Sequence, residues 1–209
     1  MRRLRMSFRK VLPPRFITAA ALFTFACLFA LEWLIGAEGR SMTHELRDAW
    51  FVSVAACFGM WRAYGLPRLK TPYGAWLKNS PWVPGQPLPM GPIRLVWQDV
   101  VIVGALAACV YDSPQAVTNV LQSFLLAYVA VLGIGFFLTK TRWCGYLIAF
   151  GLGLWAVQDG GWGKGLVIAG LVLTSRLGLF FALRSFPWKD DVVGPPIDLA
   201  GIYPFHQLR

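Results

Sequence analysis

From Ser113 to Thr139 the chain carries no charged residue. A helix needs about 20 apolar residues to cross the hydrocarbon core of a bilayer, whereas helices of globular proteins average about 11–12 residues. The apolar part, Ala116–Leu138, therefore reads as a transmembrane helix, bounded by Asp112 on one side and by Lys140 and Arg142 on the other. Backbone polar groups in lipid must be satisfied within the segment, as a helix satisfies them.

Five further segments follow the same rule: Phe16–Ile35, His44 to Tyr64 (apolar over 49–60), about Ile93 to Tyr111, Trp143–Val157, and about Gly165 to Phe186 with Arg176 inside it. The expected fold class is an all-α integral membrane protein of about six transmembrane helices. An N-terminal amphipathic helix and a short cytoplasmic interfacial helix are expected besides. Trp143–Val157 is short and is either extended by its flanks or does not fully cross. Charged residues make up 14% of the chain, against roughly 25% in soluble domains. The net charge of +10 falls at the ends of apolar runs, where the positive-inside rule requires it. With no groove-binding motif besides, no nucleic-acid partner is expected.

Three regions are expected: an amphipathic segment 1–15, a membrane domain 16–186, and a proline-rich tail 187–209. In the first, Leu4, Phe8, Val11 and Leu12 recur at helical spacing among Arg2, Arg3, Arg5, Arg9 and Lys10, and Pro13-Pro14 closes the pattern. The competing reading, a signal peptide, has an apolar core of about 7–15 residues. The run Phe16–Ile35 is longer and ends with Glu32-Trp33, which favours an uncleaved first span.

Between the second and third spans lies a basic loop, 62–94, with Arg62, Arg68, Lys70, Lys78 and Arg94 and no acid before Asp99. Thr71-Pro72 is a helix start, with threonine at the cap and proline at the first helical position. Tyr73, Trp76 and Leu77 then share one face, and Lys70 and Lys78 can reach anionic headgroups. The prolines from Pro81 to Pro92 deny a continuous helix and predict an extended path. A disordered basic loop is the alternative. The N-terminus, this loop, Lys140, Arg142 and the tail carry most of the unbalanced positive charge. That places both termini in the cytoplasm of a bacterial inner (plasma) membrane.

Chemistry-bearing motifs are few. Cys27, Cys57, Cys109 and Cys144 stand singly, so neither zinc nor a redox pair is signalled. His44-Glu45-Leu46-Arg47-Asp48 has metal-like spacing, but His206 is expected across the membrane and no third ligand is evident. The run reads as a charged helix start, capped by Ser41 or Thr43. The two distant histidines argue against an intramembrane bis-histidine haem, and neither a phosphate-cradling nor a dinucleotide glycine motif occurs. No cofactor, metal or catalytic residue is expected. Gly133, Gly135, Gly145, Gly151, Gly153, Gly165 and Gly170 suit close helix packing, with a translocation path as the functional alternative. Ionisable residues at membrane depth mark function more often; they are Glu32, Asp99 and Arg176. An Arg176–Asp99 contact is expected, the alternatives being that Arg176 snorkels to lipid or that the last span ends there.

The leading expectation is a non-enzymatic subunit of a membrane complex. Its partners are the lipid bilayer and a cytoplasmic or membrane protein docked through Tyr73, Trp76, Leu77 and Lys78. The layout resembles permease subunits of ABC-2 type exporters: an amphipathic N-terminus, six spans, a cytoplasmic helix between spans 2 and 3, and a glycine-rich outer turn between spans 5 and 6. That resemblance implies a transport component in which Pro72–Lys78 touches an ATPase. The alternatives are a secondary carrier or channel for a small solute using Glu32, Asp99 or Arg176, and a membrane-embedded enzyme.

Overall fold

The computed structural model describes residues 30, 40–69, 71–158 and 161–186. The amphipathic segment 1–15, the expected span Phe16–Ile35 with Glu32 (residue 30 apart), Lys70 and the tail 187–209 lie outside the described residues. Among those described, all regular structure is helical: α1 Arg40–Tyr64, α2 Thr71–Lys78, α3 Trp97–Ala108, α4 Pro114–Phe137, α5 Arg142–Val157 and α6 Gly161–Arg184.

The uncharged run becomes α4, and the rest packs around it. The Ser113 hydroxyl accepts the Ala116 N–H at 3.2 Å and Pro114 occupies the first turn, so the local sequence starts the helix as capping rules require. α4 touches α1, α3, α5 and α6. Val120, Phe124, Tyr128, Leu132 and Phe136, four residues apart, are all buried along it. Phe124 joins Phe51, Ala55, Val103 and Val110 at one end; Leu132 and Phe136 join Leu66, Ile148 and Leu179 at the other. The second end is the loop end, where residues 65–96 emerge.

The closest approach is between α1 and α4. Ala55, Gly59 and Ala63 form a small-residue stripe on α1, with both alanines fully buried. A methyl group at Gly59 would collide with the Phe124 carbonyl and lie 3.0 Å from the Tyr128 nitrogen. Ser123 adds a hydrogen bond across this seam, its hydroxyl donating to the Val52 carbonyl at 3.0 Å. Gly133 and Gly145 do the same for α4 and α5: a Cβ at Gly145 would stand 3.1 Å from the Gly133 oxygen. Gly135 and Gly151 receive Leu66 and Leu171, whereas Gly153, Gly165 and Gly170 face open space. Tight packing thus accounts for four of the seven glycines singled out in the sequence.

Among the described residues two helices, α4 and α6, are long and apolar enough to cross a membrane. α5 is 16 residues and α3 only 12. The helix expected from about Ile93 begins at Trp97, because Ile93 turns into the core and the Asp99 carboxylate accepts the Val96 N–H at 2.7 Å, fixing the start there. α1 begins at Arg40, so Glu45 and Asp48 lie beyond its first turn instead of at the helix start. α6 continues unbroken past Arg176 to Arg184.

At the end opposite the loop, Arg47 of α1 grips Asp112, in the α3–α4 turn, with Nη2 at 2.8 and 2.7 Å from its two oxygens. His44 Nδ1 stands 3.4 Å from the same carboxylate. The hydrogen bond from Arg47 lowers the Asp112 pKa below its ordinary 3.8.

Two outcomes are expected. Gly59→Leu should cut the yield of folded protein and the melting temperature in detergent, with overpacking costing about 1–3 kcal/mol or more; Gly170→Ala should leave both unchanged or slightly raised. Asp112, depressed in the folded state, contributes stability that is present above the unfolded value and disappears as pH falls through the folded one. The melting difference between wild type and Asp112→Asn should therefore be present at neutral pH and vanish in strong acid. A difference that survives in strong acid would refute this.

Candidate functional site

The loop between α1 and α3 is a folded unit. α2 occupies Thr71–Lys78, where Thr71-Pro72 predicted a helix start. Tyr73 and Leu77 point inward and are buried, while Trp76 is 44% exposed and Lys78 is exposed. The Tyr73 and Trp76 rings stack at 6.1 Å. The Tyr73 hydroxyl accepts the Met90 N–H at 3.5 Å, and burial raises its pKa above the ordinary value. Gly74 lets α2 lie on the preceding chain, since a Cβ there would stand 2.7 Å from the Pro67 carbonyl.

The proline-rich part is not simply extended. The Gln86 N–H donates to the Val83 carbonyl at 3.1 Å, closing a turn with Pro84 and Gly85 at its centre; Gly85 has φ +102°. The Gly91 N–H donates to Leu88 in the same way, with Pro89 in the second position and φ +114° at Gly91. Proline presets the φ of the first central residue, and glycine takes the left-handed conformation. These turns fold the strap back, so that Leu88 and Ile93 are buried and the Trp82 ring meets Phe186 edge-on at 5.4 Å. The Trp82 indole N–H donates to the Gln86 carbonyl at 3.3 Å.

An ion pair closes the neck of the loop. Arg62, in the last turn of α1, donates to Asp99 Oδ2 from Nε at 3.2 Å and from Nη2 at 3.0 Å. Both residues are 5% exposed. The same oxygen receives the Val96 N–H. One carboxylate therefore starts α3 and binds the end of α1. The buried Tyr128 side chain of α4 lies in the field of Arg62, Asp99 and Arg176. Arg68 donates from Nε to the Leu138 carbonyl at 2.9 Å, placing a cation on the C-terminus of α4 where the helix dipole favours it.

These placements revise several expectations. Asp99 is bound by Arg62, not by Arg176; Arg176 is exposed on α6. Arg62 is a buried partner, and so does not count among the surface cations of the loop. Tyr73 and Leu77 belong to the hydrophobic core, leaving Trp76 and Lys78 as the outward pair of the expected docking set. Alongside them the loop exposes Val83, Met90, Arg94 and, at the start of α3, Trp97. The sequence signal for Arg62 is its place three residues after Gly59 and next to Ala63: a charge beside a tightly packed stripe needs a partner. Among the described residues no group of three or more His, Cys, Asp or Glu side chains is placed to hold a metal ion. The chain matches no known protein family, no curated protein and no solved structure.

Breaking the neck should be costly. Asp99→Leu or Arg62→Leu leaves a buried charge uncompensated, an effect of about 3–5 kcal/mol. Arg62→Met with Asp99→Asn removes both charges and keeps an acceptor for Val96. Melting curves in detergent should show the double variant more stable than Arg62→Leu alone. Additive losses would show that the pair is not energetically coupled.

Proposed function

We propose that this chain is a six-span inner-membrane protein, with both termini in the cytoplasm, that serves as a non-catalytic subunit of a membrane assembly. The ordered 62–94 loop is the platform that a cytoplasmic partner reads. The observation that carries this reading is the division of the loop into two faces. Tyr73, Leu77, Leu88 and Ile93 are spent on holding it against the helices. Trp76, Val83, Met90, Lys78 and Arg94 are left outward. Exposed aromatics, methionine and arginine are the residue types that anchor interfaces. In its narrower form the subunit is an ABC-2-type permease-like transport component, and α2 meets its ATPase.

The membrane reading is supported by α4 and α6. Only 44% and 33% of their most apolar stretches are buried within the protein, so much apolar surface is left for lipid. The carrier alternative has less support. Asp99, its best candidate for binding a solute or proton, already holds Arg62 and the Val96 N–H.

Reporter fusions after Lys78 and Thr141 should report cytoplasm, and one at Ser113 the outer side; a periplasmic signal at Lys78 refutes the topology. Trp76→Ala with Arg94→Glu should abolish co-purification of a stoichiometric cytoplasmic partner while leaving the melting temperature within a few degrees of wild type. A lone wild-type protein that moves a solute in liposomes without any partner would favour the carrier.

A further inference from the structure

We propose that the exposed face of α6 is a binding site for an anionic phospholipid, with Arg176 holding the phosphate and Leu173, Leu177 and Phe180 lying along the acyl chains. α6 has two faces. Leu171, Ser175, Gly178 and Ala182 are buried against the bundle. The other face exposes Leu173, Leu177, Phe180 and Phe181, with Arg176 at its edge and Arg184 two turns further on. The apolar part is what acyl chains cover; the arginine is what they cannot satisfy.

The protein offers Arg176 no counter-charge of its own among the described residues. These hold four acids. Glu45, Asp48 and Asp112 lie at the end opposite the loop, and Asp99 is engaged by Arg62. A guanidinium in that position binds a phosphate through paired N–H donors. Arg176 lies eight residues before the end of α6, or about 12 Å along the axis, and its side chain extends several ångströms toward the headgroup layer. The Arg184 guanidinium sits 5.7 Å from the Phe180 ring centre, nearer the helix end, as a second cation for the same headgroup. Two cations facing one lipid favour a headgroup of net negative charge, because a zwitterionic one brings its own competing cation.

The leaflet concerned is the cytoplasmic one if the topology proposed above holds; the site itself does not depend on it. The test is native mass spectrometry of the delipidated full chain in detergent, titrated with phosphatidylglycerol, phosphatidylcholine or inorganic phosphate. Wild type should bind phosphatidylglycerol roughly tenfold more tightly than phosphatidylcholine, the scale of one charge-assisted hydrogen-bonded contact. Arg176→Gln should erase the preference and Arg184→Gln reduce it. An unchanged preference in Arg176→Gln overturns the proposal. So does displacement of the lipid by millimolar inorganic phosphate, or a lipid-independent dimer that buries this face. If Arg176→Gln does not accumulate, photoactivatable phosphatidylglycerol on wild type decides. Labels concentrated between Leu173 and Arg184 and competed only by anionic lipid support the site, and labels spread evenly over every exposed helix overturn it. Neither readout depends on orientation or on a partner at the loop, so its failure leaves the fusion and co-purification results standing.

Discussion

The Arg62–Asp99 pair holds together the two places where the chain leaves and re-enters the helical bundle. Its members are 37 positions apart in sequence, and everything between them is the loop. A buried pair of this kind contributes little net stability over a well-packed apolar substitute, because desolvating both charges offsets their attraction. What it supplies is position. Neither charge can be left alone in an apolar surrounding, so the last turn of α1 and the first turn of α3 have one arrangement in which both are satisfied. The Val96 N–H on the same carboxylate ties the start of α3 to that arrangement.

With its ends fixed, the loop is short of freedom, and its sequence removes most of what is left. Pro84 and Pro89 preset turns that Gly85 and Gly91 complete. Fewer unfolded conformations are then lost on ordering. The apolar side chains Tyr73, Leu77, Leu88 and Ile93 meet the ends of the helices. A surface ordered in advance binds without a further ordering cost, which is the physical advantage of a preorganised platform. The same economy explains why few large side chains are left outward: most of the loop's are already used inside.

Much of the helical frame is legible in the sequence, since charge-free length and helix-start chemistry are local signals. α4, α5 and α2 lie within about two residues of their expected bounds, a typical boundary uncertainty. The start of α3 falls later than expected because hydropathy does not distinguish an apolar strap from an apolar helix. Ile93, Leu95 and Val96 score as span but lie before the α3 start at Trp97. The pairing of Asp99 was missed for a related reason. Arg62 was grouped with the cations of the loop on charge alone, although the Ala55–Gly59–Ala63 stripe extends the helix face past it. Nor could the pattern Tyr73, Trp76, Leu77 say which side is inward: a shared face at i, i+3, i+4 suits lipid, a partner or the core equally.

The two ends of the bundle are clasped by different chemistry. At the loop end the pair is buried, so salt screens it little and water cannot compete for its hydrogen bonds. At the other end the Arg47–Asp112 contact stands at the surface. There, salt and solvent weaken it, as they weaken exposed pairs generally. Packing follows the same gradient. The larger apolar cluster lies at the loop end, and the smaller one fills the space between α1, α3 and α4 beyond it. Close backbone approach at Gly59 couples the two, because α1 cannot slide on α4 without driving its chain into the Phe124 carbonyl. The more heavily packed end is thus also the end that carries the proposed platform. A change at the exposed clasp has two routes to it, the α1–α4 seam and α3, whose first turn holds Asp99 and before which Leu95 packs against both clusters.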